Sequence, residues 1–453
     1  MEPIGSNTSG MPTLLFVSAL LIMSTSCSPS SEPNAGAHDA PGAVSEPHPA
    51  DAGQSSPATG LWTAWLDSPG GELAFHIDLV YDAEIWRADL LNGNERISIP
   101  STSVDGSTVT FDIGHYDSQL TATVSDDGRA LDGEWLKRRG PEQYTHMGFH
   151  ARAGAGDRAT FNADSGPGAQ LTGRWKAQFE SDDQPAAALF SVDDAGHLSG
   201  TFITTTGDYR YLAGDRQLDI PPEDQPDDGS ERFTLSCFDG AHAFLFKMRL
   251  HDDGLLTGDF WSRESWHETW TAQRAPDFTM PDGFALTQFI EDADLGTLAF
   301  PDLDGVPRTL DDPDFAGKAR VIQIFGSWCP NCHDACELMA EFADTYGDRG
   351  LSILGLAFEV TGDHARDAEQ VRRYAARHGV PYPLLIAGLS DKDAASESLP
   401  FLDKVRSYPT TVFLHSDGRV RAVYQGFSGP ATGADHQALR AAFSGLIEEL
   451  LGE

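Results

Sequence analysis

VIQIFGSWCPNCHDACE, residues 321–337, decides how the chain reads. Val321 to Phe325 is a short apolar run of the kind that forms a buried strand. Gly326 and Ser327 break it, and after Cys329, Pro330, Asn331 and Cys332 the polar and apolar residues alternate at helical spacing. A Cys-x-x-Cys pair opening a helix has a specific chemical use. The first sulfur sits among unpaired helix amides at the positive end of the dipole, which favours its thiolate. The second lies a turn inside, within reach of a mixed disulfide formed on the first. Pro330 suits a first turn, where a missing N–H costs nothing. A zinc site is the other use of such a pair; it needs a second Cys/His pair at ligand spacing, and none is evident.

Working outward, Leu351–Phe358 reads as a second buried strand, Asp363–His378 has helical periodicity and Tyr382–Ile386 is a short strand. Leu389–Ser407 is an insertion with helical stretches. Thr410–His415 and Val420–Tyr424 pair around Ser416-Asp417-Gly418, and His436–Leu451 is a closing helix. Upstream, Leu298–Leu303 is a strand and Asp304-Gly305 a turn. WCPNC after a strand, with SYPTTVFLHSDGRV at 407–420, resembles the thioredoxin fold, and more narrowly the TlpA/ResA-like extracytoplasmic thiol–disulfide oxidoreductases. The likeness covers about residues 280–453.

That resemblance implies a dithiol/disulfide at Cys329 and Cys332, with Cys329 attacking and Cys332 resolving, and no cofactor or metal. Pro409 matches the family's cis-proline facing the cysteines. Trp328 and Tyr408 flank the pair as auxiliary candidates. Thioredoxin carries a buried aspartate six residues before the first cysteine; Gln323 stands there in this chain, so an assisting base has to come from elsewhere, and Glu359 at the end of the next strand is the candidate. His333 either tunes the thiolate or is an exposed helix residue. Cys336, one turn after Cys332, is read as buried filler. The resemblance also implies partners: disulfide- or thiol-bearing envelope proteins, cytochrome-maturation clients among them, and a membrane-embedded electron donor.

Leu14–Met23 is an apolar run too short to span a bilayer and suited to a signal-peptide core. Ser24-Thr25-Ser26 then precede Cys27 and resemble a lipoprotein signal, although residues 1–13 hold no Lys or Arg. Residues 1–26 are accordingly read as a signal peptide, Cys27 as a lipid anchor and the location as the cell envelope. Residues 27–60, rich in Ser, Pro, Ala, Gly and Asp, cannot bury enough apolar surface to order and read as a tether. Its r.m.s. reach is roughly 30 Å at about 5–6 Å × √n. The 453-residue chain has a formal net charge of −38, which argues against nucleic acid and anionic membrane surfaces as partners. Its five cysteines are too few for a disulfide-stapled scaffold.

Between tether and redox region lie two copies of one unit, residues 61–152 and 171–275, joined by a Gly-rich linker at 153–170. The openings GLWTAWL (60–66) and GRWKAQF (173–179) match. So do the endings, each with a DDG turn, a Leu-x-Gly-x-Trp/Phe strand and a last strand closing in Arg. The reading pairs Trp62 with Trp175 and Arg152 with Arg274. Alternating residues between turns predict about eight short strands per copy, hence two small antiparallel barrels or sandwiches. The expected fold class is therefore multidomain: two repeated all-β units followed by an α/β thioredoxin fold. Trp261, Trp266, His267 and Trp270 close a barrel core or edge, or line a ligand groove. His242 reads as a satisfied turn or strand residue and Cys237 as a buried small hydrophobe.

Two other functions fit parts of this pattern. A peroxiredoxin-like peroxidase shares the fold, but its Pro-x-x-x-Thr/Ser-x-x-Cys signature is broken by Ile322 and Gly326. A non-enzymatic envelope binding lipoprotein would use the β units to hold its partner.

Overall fold

Inward-facing apolar residues alternating with polar ones make the first half of the chain a pair of antiparallel meanders. The structure is a computed structural model that describes residues 56–452, except 155–169, 193–196, 217–230, 292, 294, 314, 316 and 317. The expected signal peptide, Cys27 and most of the tether lie outside the described residues. The first unit contains β1 (Gly60–Ser68), β2 (Gly71–Asp82), β3 (Ile85–Asn92), β4 (Glu95–Ser98), β5 (Ser101–Asp105), β6 (Thr108–Ile113), β7 (Ser118–Val124), β8 (Ala130–Arg138) and β9 (Tyr144–Ala153). Their order is β4-β3-β2-β1-β9-β8-β7-β6-β5. On β1, Trp62, Ala64 and Leu66 are buried while the residues between them are half-buried, the period of two that gives a sheet one wet face.

The second unit repeats the order with β10 (Gly173–Phe179), β11 (Ala186–Val192), β12 (Leu198–Thr204), β13 (Gly207–Asp208), β14 (Leu212–Arg216), β15 (Glu231–Phe238), β16 (Ala243–Leu250), β17 (Leu256–Ser262) and β18 (Trp266–Arg274). Here pairing of β12 with β14, Leu198 opposite Gly214, closes the ring into a barrel. The matching edge of the first unit is bridged by one hydrogen bond, from Ile99 N–H to Ala88 O at 2.9 Å. That unit is a half-open barrel. Both opening tryptophans bond alike: Trp62 Nε1 donates to Ala58 O and Trp175 Nε1 to Leu171 O, each at 2.9 Å.

The closing arginines do not correspond. Leu131 faces Ala151 and Leu256 faces Ala272, so Arg274 matches Ala153 and Arg152 matches Gln273. A shift of one residue along a strand reverses the face. Arg152 lies over Trp65, whereas Arg274 lies over Trp175, 4.8 Å from the ring centroid. The aromatic cluster divides as well: Trp270 is buried in the barrel core, Trp266 is exposed, and Trp261 stacks on His267.

The rest is the α/β region: β19 (Ala299–Pro301), β20 (Pro307–Thr309), β21 (Ala319–Phe325), α1 (Pro330–Tyr346), β22 (Leu351–Glu359), α2 (His364–His378), β23 (Leu384–Leu389), α3 (Lys392–Ser398), β24 (Thr410–Leu414), β25 (Val420–Gln425) and α4 (Ala434–Leu451). The sheet order is β23-β22-β21-β24-β25, with the first three strands parallel and β24 antiparallel to β21. Every residue of β21 is buried, as a central strand covered on both faces requires. This is the thioredoxin arrangement. The strand expected at 382–386 begins instead at Leu384, and of the expected helical stretches in 389–407 only α3 forms. Asp363 caps α2 through Arg366 N, and Gly379 ends it in the left-handed conformation at φ 59°.

Both β units are bolted to this region. Gln370 Nε2 on α2 donates to Gly114 O and His115 O at 3.0 and 2.8 Å. Arg174 holds Asp435 through both guanidinium nitrogens at 2.7 and 3.1 Å. The β12–β13 turn of the second unit reaches the start of α1.

Candidate active site

β21 delivers Ser327 and Trp328 to the start of α1, where Cys329 is the N-cap. The Cys332 N–H donates to Cys329 Sγ at 3.3 Å, filling the role that serine or aspartate plays at other helix starts. Pro330 occupies the first turn. Cys329 and Cys332 are joined as a disulfide with Cα atoms 5.2 Å apart. Cys329 keeps 6% exposure and Cys332 none, so an incoming sulfur can approach only the first.

The Tyr408–Pro409 peptide bond is cis. Tyr408 O lies 3.5 Å from Cys329 Sγ, which puts this loop against the disulfide. Trp328 donates its indole N–H to Phe358 O at 2.9 Å and meets the Tyr408 ring edge-on at 5.5 Å.

Glu359 is fully buried, not a solvent-facing strand end. It accepts from Ser327 N–H at 2.8 Å and from the Ser327 hydroxyl at 2.7 Å. Burial pushes its pKa up to about 8, against the pull of those two bonds. Its carboxyl oxygens bond Ser327, two residues before Cys329, so it acts on the site through that backbone. Gln323 is buried; its Oε1 accepts from Tyr382 Oη at 3.3 Å, and its Nε2 has no partner among the described residues. Cys336 is buried beneath Tyr382, and burial raises its thiol to about 11, which makes it an inert packing group.

His333 is buried, so the exposed-residue reading fails. Its Nε2 is 2.8 Å from Ser327 O and its Nδ1 2.6 Å from His378 Nε2. The ring packs 4.4 Å from Tyr116 of the first β unit, and burial holds its pKa well below the usual histidine range. His333 therefore enters the site as a neutral hydrogen-bonding group.

Sequence reasoning missed the groups supplied by the second β unit. Asn331 Nδ2 donates to Asp208 O at 3.1 Å, and Gly429 N–H donates to the Asp208 carboxylate at 2.5 Å. Ser407 Oγ donates to Thr206 O at 2.9 Å and Gln425 Nε2 to Thr205 O at 3.0 Å. Residues 205–208 are thereby pinned to α1 on one side and to the cis-proline loop and β25 on the other, over the disulfide. His242 is bound to Asp239 at 3.1 Å. No local signal marks residues 205–208, because their contacts with the redox region join positions more than a hundred residues apart.

A buried Cys329–Cys332 pair on a thioredoxin sheet, at a helix N-terminus and against a cis-proline, defines a dithiol–disulfide centre. Residues 271–439 match the Redoxin family model, and this part of the chain is a redoxin domain resembling the TlpA/ResA type. The thiol-disulfide oxidoreductase ResA of Halalkalibacterium halodurans is 25% identical over 127 residues, which are 28% of this chain and 62% of the relative. The thioredoxin-like protein YneN of Bacillus subtilis is 26% identical over 113 residues, 25% of this chain and 59% of the relative. The chain thus spans about three fifths of the length of these curated relatives. A crystal structure of a thioredoxin-family thiol:disulfide interchange protein from Chlorobium tepidum is 21% identical, with a TM-score of 0.26, covering 34% of this chain and 92% of that one.

Proposed function

We propose that the chain is an extracytoplasmic thiol–disulfide oxidoreductase, acting chiefly as a disulfide reductase and held at the cell envelope by a lipid on Cys27. The observation that carries the activity is the unequal burial of the two sulfurs at the start of α1. Cys329 thiolate attacks a substrate disulfide and forms a mixed disulfide, releasing one substrate thiolate. Cys332 then attacks Cys329 Sγ, closes the internal disulfide and releases the second. The helix N-terminus and the Cys332 N–H stabilise the Cys329 thiolate, by about 0.3–2 kcal/mol for the dipole. Ser327 and Glu359 fix the backbone before it. The resemblance points to envelope proteins, cytochrome-maturation clients among them, as partners and to a membrane-embedded electron donor.

The test is reduction of a model disulfide by the purified full chain. Cys329→Ser should abolish turnover, whereas Cys332→Ser should accumulate a mixed disulfide through Cys329, seen as a mass increase. If Cys332 carries the trapped adduct in the Cys329→Ser variant instead, the roles are reversed.

A further inference from the structure

The strip over the disulfide leaves a cavity of about 220 Å³ that opens onto Cys329 and is lined from both halves of the molecule. The second β unit contributes Tyr209, Phe244 and Arg263; the redox region contributes Asn331, Lys392 and Tyr408. Its chemistry is unlike that of a surface crevice. The Tyr408 hydroxyl, Asn331 Oδ1 and Arg263 Nε are closed off from solvent and have no hydrogen-bond partner among the described residues. Tyr408 and Asn331 are themselves 7% and 9% exposed. Buried polar atoms are normally paired, so three orphans around one cavity mark a place for a polar guest.

Charge selects the guest. Arg263 is held at φ 57°, a backbone conformation that a bulky side chain rarely adopts. Among the described residues its guanidinium has no carboxylate within salt-bridge distance; neighbouring Glu264, which attracts it from farther off, pairs with Arg139 at 3.5 Å. Lys392 is the second cation on the rim. The nearby carboxylates are already engaged: Asp208 by Gly429 N–H and Arg210 N–H, Asp239 by His242. A chain with net charge −38 sets two cations, neither with a salt-bridge carboxylate among the described residues, on the cavity that opens onto its reactive sulfur.

Size selects it too. The volume lies below the roughly 300–1,000 Å³ of drug-sized sites. The 205–208 strip, tied down on both sides, covers the ground along the cis-proline loop that an extended polypeptide would need.

We propose that this cavity binds a small organic disulfide carrying carboxylates, or the corresponding thiol, and that Cys329 exchanges with it there. Arg263 and Lys392 hold a carboxylate, and Tyr408 and Asn331 take the adjoining polar groups. The inference rests on the redox chemistry assigned above and departs from the resemblance on substrate: at this cavity a small disulfide, not a protein one, is exchanged. Cys329 thiolate attacks one sulfur of R–S–S–R, and R–S⁻ leaves. Cys332 thiolate attacks Cys329 Sγ, and the second R–S⁻ leaves. Two electrons pass from the protein dithiol to the small disulfide, and the two thiol protons end on two R–SH. Run backwards, two R–SH reduce the protein.

The experiment uses the reduced full chain with three oxidants: dithiodipropionate (a dianion), cystamine (a dication) and insulin. Rates of disulfide formation are normalised to those of N-acetylcysteine. The expected normalised preference for dithiodipropionate over cystamine is at least tenfold, with insulin slower than dithiodipropionate. Arg263→Gln and Lys392→Gln should each cut the dithiodipropionate rate at least fivefold, and Arg263→Lys should retain it. No preference, unchanged rates in both charge-removing variants, or insulin outpacing dithiodipropionate would overturn the small-anion site while leaving the redox centre intact. Inertness toward all three oxidants would instead remove the redox assignment, and this inference with it.

Discussion

Glu359 is the residue at which site and stability are linked. Buried, with its carboxyl group bonded among the described residues to Ser327, it keeps its proton up to about pH 8, against an ordinary value of 4.5 in the unfolded chain. Between those values the folded state binds more protons than the unfolded one, so stability falls as pH rises through that window, by at most about 1.4 kcal/mol per pH unit. Glu359→Gln keeps an acceptor for Ser327 and removes the titration. Thermal unfolding of wild type and variant across pH 5–9 should show the variant gaining on wild type as pH increases. Parallel curves would mean that Glu359 ionises at its ordinary value. The same residue shows how far sequence reaches: its place at a strand end was readable, but its burial depends on Ser327 turning back over β22.

At the scale of elements, the β12–β13 turn works as a lid on α1. Gly207, at φ 148°, makes the approach possible; a Cβ there would overlap Asn331 Nδ2. Gly207→Ala should therefore lift the turn from the helix, and alkylation of Cys329 in the reduced protein should speed up several-fold with secondary structure unchanged. An unchanged alkylation rate would show that the strip does not limit access. The elements themselves were largely legible. Val321–Phe325, the Pro330–Tyr346 helix and the hairpin around Asp417-Gly418 follow from local periodicity, caps and turn residues, and the structure returns them within two residues. Repeat matching gave the shared strand order but mispaired Arg152 with Arg274, because composition does not fix register to one residue. The lid was invisible for a different reason. Thr205–Asp208 reads as an ordinary polar turn, and only closure of the barrel at β12–β14 directs it toward Cys329.

For the molecule as a whole, the three parts meet around Arg210. Its guanidinium bonds Glu95 of the first β unit at 2.8 Å and Asp334 on α1, while Asp239 of its own unit lies 3.8 Å away. Arg210 and all three carboxylates are buried or nearly so. Burial raises Glu95 to about 7 and raises Asp334; burial also works to raise Asp239, but His242 and Arg210 outweigh it and hold Asp239 below the usual range. One cation thus keeps three desolvated acids together, and removing one member of a buried ionic group costs about 3–5 kcal/mol. The sign of its pH dependence follows. Without Arg210, Glu95 and Asp334 are harder to ionise in the folded state than in the unfolded one, so the loss grows as pH rises and shrinks as they take up protons. Arg210→Met, measured by calorimetry, should therefore lose more melting temperature at pH 8 than at pH 5. It should also raise the alkylation rate of reduced Cys329, since the same side chain fixes the unit that carries the lid. Equal losses at both pH values would mean that Arg210 holds the junction by packing alone, and that the three carboxylates do not depend on its charge.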